Sequence, residues 1–125
     1  VADLLAFDPS GALWVTDFGG NSFNRVPTAA LTGTGAMTLT APVQVTVSVG
    51  ALLEGFAFDE AGGLWTTFSQ GSVARLAPAQ LTTTTNAGAP TVPQTKLTSP
   101  DFGYAGPLAF FPGAAGTALY SAAQP

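Results

Sequence analysis

The chain repeats itself. Residues 6–16, AFDPSGALWVT, align without a gap on residues 57–67, AFDEAGGLWTT, at an offset of 51. The alignment pairs Gly11 with Gly62, Leu13 with Leu64, Trp14 with Trp65 and Thr16 with Thr67. After a one-residue deletion the match resumes at an offset of 50, with Arg25 on Arg75 and Leu31-Thr32 on Leu81-Thr82. A third copy opens near Pro107, where Leu108-Ala109-Phe110 matches Phe56-Ala57-Phe58 and Leu119-Tyr120-Ser121 stands for Leu64-Trp65-Thr66 after an insertion. A period of this length implies one supersecondary unit used repeatedly, each copy burying part of its apolar surface against the next.

Within a copy the local signals are short strands and tight turns. Asp8-Pro9-Ser10-Gly11 marks a turn in which Pro9 presets its backbone and Gly11 is free to take positive φ. Strand signals flank it: a run between Phe7 and Leu13, then 13–16, then 22–27 after the Gly19-Gly20-Asn21 cluster. Residues 43–49 alternate apolar and polar with period two, as a half-buried fourth strand does. The second copy offers 56–58, 64–68, 72–76 and 95–98 at matching places, with a helical turn expected at 28–31 and at 78–81. The loops 32–40 and 82–93 are polar and flexible in composition. Four antiparallel strands in about 50 residues describe a propeller blade. The expected fold is all-β, a partial β-propeller: a first blade over residues 1–50, a second over 51–104, and the first two strands of an incomplete third over 105–125. A duplicated β-sandwich, or two unrelated hairpins with similar turns, are the competing arrangements, and the long ungapped match with paired tryptophans argues for the repeated blade.

Composition narrows the chemistry. Of 125 residues, 46% are hydrophobic and 8% charged, which excludes an intrinsically disordered chain. Three basic residues, Arg25, Arg75 and Lys96, stand against seven acidic ones, for a net charge of −4, so there is no electrostatic footprint for nucleic acid. With no cysteine there is no disulfide framework or thiolate site, and with no histidine the commonest general base and nitrogen metal ligand are missing. No apolar run approaches the roughly 18 residues of a membrane-spanning helix. The chain starts at Val1 without the basic and apolar segments of a signal peptide, and so reads as a processed or excised piece. A surface rich in Thr, Ser, Ala and Gln rather than Lys and Glu suggests a bacterial secreted or periplasmic protein.

The segments AFDPSGALWVTDFGGNSFNRV and AFDEAGGLWTTFSQGSVARL resemble blades of the NHL, virginiamycin B lyase and gluconolactonase (regucalcin-like) group of β-propellers. The resemblance covers nearly all of the chain and implies an architecture more than a chemistry, since such blades serve lactonases, lyases, scaffolds and binding surfaces. In the group's metal-dependent hydrolases, carboxylates stand at the start of the innermost strand. Glu54 in LLEGFAFD occupies that place, resembling the Glu-Gly signature of gluconolactonase-like chains, and Asp3 is its counterpart 51 residues earlier. The resemblance thereby implies Ca²⁺ or another divalent metal, which takes oxygen ligands. The third copy has Ala105 and Gly106 there, where the pattern breaks. The lyase chemistry of the group relies on histidine, which this chain lacks.

Other residues have structural readings. Asp8 and Asp59 precede turns whose amides they can accept. Arg25 and Arg75 recur at one blade position, as a structural ion pair would. Trp14 and Trp65 read as packing residues, with a sugar-stacking platform as the functional alternative. Asp17 and Asp101 fall in loops.

Closed propellers have about four to eight blades. Two and a half blades leave apolar faces and strand edges bare, so the chain is expected to associate with itself or to join the remaining blades of a larger propeller. The expected function is a β-propeller segment with a binding or structural role, leaning away from catalysis. The alternatives are part of a metal-dependent gluconolactonase-like hydrolase, or a lectin-like carbohydrate-binding oligomer.

Overall fold

Two stretches of short apolar strands separated by Asp- and Gly-bearing turns fold as two meanders of the same design. The computed structural model describes residues 2–17, 21–39, 43–48, 53–69, 71–102, 104–113 and 116–124. In the first unit, β1 (Ala2–Phe7), β2 (Leu13–Asp17), β3 (Ser22–Val26) and β4 (Val43–Thr46) form a four-stranded sheet in chain order, with one helical turn, α1 (Thr28–Leu31), between β3 and β4. The second unit repeats this with β5 (Leu53–Phe58), β6 (Leu64–Phe68), β7 (Ser72–Leu76) and β8 (Thr95–Thr98), and a 3₁₀ turn, Pro78–Leu81, in place of α1. A hairpin of β9 (Tyr104–Gly113) and β10 (Gly116–Gln124) follows. Every pairing between these strands is antiparallel, and an isolated parallel bridge joins Val47 to Thr91.

Strand register carries the repeat into three dimensions. Phe7 faces Leu13 and Ala6 faces Trp14 in the first unit; Phe58 faces Leu64 and Ala57 faces Trp65 in the second. In the hairpin Phe110 faces Leu119, Ala109 faces Tyr120 and Ser121 faces Leu108, so the third copy aligns as its sequence suggests. The insertion is accommodated by lengthening both strands past Phe110, and β9 begins at Tyr104 rather than at Pro107.

Two expectations change. The strand signal between Phe7 and Leu13 is interrupted, because Asp8 turns the chain: the Gly11 amide donates to the Asp8 carbonyl, and the Asp8 amide to the Ala12 carbonyl, both at 2.9 Å. Gly11 and its counterpart Gly62 both sit at φ +85°, where a side chain would be strained. The loop over 82–93 is no free connection either. Thr85 and Thr91 donate their amides to the carbonyls of Gln44 and Thr46, at 2.8 and 2.7 Å, and the Thr85 hydroxyl accepts the Thr46 amide. An edge strand presents unpaired amides and carbonyls, and the second unit's Thr-rich loop pairs those of β4.

The units pack through their first strands, β1 beside β5 and β5 beside β9. The core is continuous across the junction: Trp14, Phe23, Val45 and Val47 from the first unit join Phe56, Leu64, Phe68, Ala74, Leu76 and Leu81 from the second. Phe56 meets Phe23 edge-on with ring centroids 5.1 Å apart, and Phe58 meets Trp14 at 5.8 Å. At the next junction the Thr67 hydroxyl donates to the Gly106 carbonyl at 2.9 Å.

Candidate functional site

The aspartate at the end of each first strand organises the turn beyond it. In the first unit Asp8 Oδ1 accepts the Ser10 amide (2.9 Å), the Ser10 hydroxyl (2.6 Å) and the Ala12 amide (3.1 Å), while Oδ2 accepts the Trp14 indole N–H (2.8 Å). In the second unit Asp59 Oδ1 accepts the Gly63 amide (2.7 Å), and Oδ2 accepts the Trp65 indole N–H (2.9 Å) and Arg75 Nε (2.7 Å). Burial pushes the Asp8 carboxyl up, but bonds from Ser10, Trp14 and the Ala12 amide outweigh it and hold the pKa below the ordinary aspartate value. Burial likewise pushes Asp59 up, and Arg75, the Gly63 amide and Trp65 overcome it.

The two tryptophans are thus tied into the scaffold. Trp14 is 1% exposed, its N–H held by Asp8 and its ring against Phe58, so no face remains for a sugar to stack on. Trp65 is half-buried, with its N–H on Asp59.

The candidate metal residues stand at the opposite end of the first strands. Glu54 is half-buried and lies where the β5–β6 register shifts, between Leu53 and Gly55. The β1–β2 register shifts likewise between Ala2 and Leu5, which places the backbone of Asp3 at the same irregularity; its side chain lies outside the described residues. A bulge re-aims a side chain. The third copy shifts too, between Ser121 and Ala123 on β10, with no carboxylate opposite, so the irregularity belongs to the repeat and not to the acids. Among the described residues no three His, Cys, Asp or Glu side chains gather as a metal would require. Asp17 ends β2, its side chain again outside the described residues, and Asp101 is exposed in a 3₁₀ turn, Pro100–Phe102.

At the turn end, between the two units, lies a cavity of about 500 Å³ whose walls include Arg25, Val43, Phe58, Pro78 and Leu81. Neither copy forms it alone, so no motif within one repeat marks it. The legible signal was the places where the two copies differ: Ser10 against Ala61 and Ala12 against Gly63.

No family model and no curated protein matches the chain. Among solved structures it is similar to a luciferin-regenerating enzyme with a propeller-like fold, at a TM-score of 0.60 and 19% identity. The match covers 88% of this chain and 33% of that one, so the chain spans about a third of the length of this structural relative. A likeness at that identity concerns the fold alone.

Proposed function

We propose that this chain is a β-propeller segment, two blades and the opening hairpin of a third, with a binding or structural role, completed by blades from a longer polypeptide or from other copies. One observation carries the reading. Leu5 and Phe7 occupy the positions of Phe56 and Phe58, one unit earlier. Phe56 is 6% exposed because Phe23 of the preceding unit covers it, whereas Leu5 and Phe7 are each 63% exposed. Complete burial of such a side chain is worth about 1.5–3 kcal/mol, so the face is built for a neighbour. The trailing end supports the same reading: Leu97, the counterpart of the fully buried Val45, is 46% exposed. The AFD and LW motifs support kinship with the NHL, virginiamycin B lyase and gluconolactonase-like propellers, and the Thr- and Ser-rich composition supports an exported setting.

Light scattering over a range of concentrations tests this. The 125-residue chain is expected to exceed its own 12.5 kDa mass at high concentration, and Leu5→Ser with Phe7→Ser to lower the excess. A single-chain mass at every concentration would refute the open-propeller reading.

A further inference from the structure

The geometry points to the inter-unit cavity as a binding site for a small organic anion with an apolar body, such as an aryl or medium-chain alkyl carboxylate, anchored by Arg25. The inference starts from the two arginines, which share one repeat position and have different surroundings. Arg75 is held on two sides. Its Nε donates to Asp59 at 2.7 Å, its Nη1 donates to Gln94 Oε1 at 2.7 Å, and its guanidinium lies across Gly63, in the space a Cβ there would fill.

Two of those arrangements are undone in the first unit by a change of residue. Gly63 is replaced by Ala12, fully buried, which carries a Cβ at the position equivalent to the one Arg75 lies across. Ala61 is replaced by Ser10, whose hydroxyl takes up a carboxylate oxygen of Asp8 and makes the arginine dispensable to that acid. Arg25 accordingly stands 3.6 Å from Asp8, beyond hydrogen-bond distance, with a third of its side chain exposed. It lines the cavity.

The cavity has the composition of a small-molecule site: a few polar groups, with Arg25 the cation among the lining residues, on walls of Val43, Phe58, Pro78 and Leu81, in a volume of about 500 Å³. A guanidinium presents paired donors that match a carboxylate. Two acids also border the space. Asp8 has its oxygens committed to Ser10, Ala12 and Trp14, and Glu60 has an interaction of its own. The cavity lies at the end of β5 far from Glu54, so it is separate from the carboxylate positions considered for a metal.

Calorimetric titration of the protein with octanoate, octanamide and octylamine tests the assignment, with thermal unfolding to verify that each variant is folded. Octanoate is expected to bind at least tenfold more tightly than octanamide, and Arg25→Gln to remove that advantage. A second variant, Ser10→Ala with Ala12→Gly, restores beside Arg25 the residues that flank Arg75 in the second unit. It is expected to weaken octanoate at least tenfold although the arginine is retained. Equal affinity for the acid and the amide, an unchanged octanoate affinity in Arg25→Gln, or a preference for octylamine would each overturn the proposal, the last by making Glu60 the anchor.

Discussion

The difference between the two aspartate–arginine pairs yields a number that can be measured. Asp59 and Arg75 meet at 2.7 Å with side chains 18% and 19% exposed, so their contact is a charge-assisted hydrogen bond largely out of water. Such bonds contribute about 1.5–3 kcal/mol net, and a double-mutant cycle with Asp59→Asn and Arg75→Met is expected to give a coupling of about 2 kcal/mol. Asp8 and Arg25 are 3.6 Å apart and the arginine is 33% exposed, so no hydrogen bond forms and solvent screens the pair. The matching cycle with Asp8→Asn and Arg25→Met should return about 0.5 kcal/mol or less, as exposed ion pairs do. Urea unfolding measures both. In thermal unfolding, an entropy of about 2.1 cal/mol/K per residue converts the larger coupling to roughly 8 °C for a chain of this length. Equal couplings in the two cycles would refute the claim that Ser10 and Ala12 release Arg25.

Other outcomes follow from the same geometry. Phe56→Ala is expected to cost about 3–5 kcal/mol in urea unfolding, and Leu5→Ala at the equivalent exposed position about 0.5 kcal/mol or less at low protein concentration; comparable losses would mean the leading face is already covered. Because the folded pKa values of Asp8 and Asp59 are depressed, the stability they contribute is complete well above the unfolded value of about 3.9 and is lost as pH falls through the folded values below it. The urea midpoint should therefore be level from pH 7 to pH 5 and drop below about pH 4, and a midpoint level to pH 3 would contradict the pairing. On the scaffold reading, titration with Ca²⁺ gives no heat that Glu54→Gln abolishes, and a heat lost with that substitution would shift the reading to a metal-dependent hydrolase.

Much of the fold is legible residue by residue. Asp8-Pro9-Ser10-Gly11 and Asp59-Glu60-Ala61-Gly62 announce their turns because positive φ at the fourth position favours glycine. The pairing of Phe110 with Leu119 is readable from the weak third copy, since register repeats with the unit. The stapling of β4 by Thr85 and Thr91 is not. A loop of threonines looks flexible by composition, and its order comes from an edge strand forty residues away whose amides and carbonyls need partners. The cavity was hidden for a related reason, since its walls come from two units and the anchoring arginine looks, in sequence, identical to its locked twin.

Period, strand order and turn chemistry were determined by the sequence alone, because each depends on neighbours along the chain: apolar alternation, a glycine at a fixed offset, an aspartate before a turn. Burial and engagement were decided in three dimensions. Leu5 and Phe56 hold the same place in the repeat, yet one is 63% exposed and the other 6%, because only the second has a unit in front of it. Arg25 and Arg75 hold the same place too, and a methyl group and a hydroxyl present in one unit and absent from the other leave one at a cavity wall and bind the other to its aspartate. Close packing makes both outcomes depend on which atoms already fill the neighbouring space.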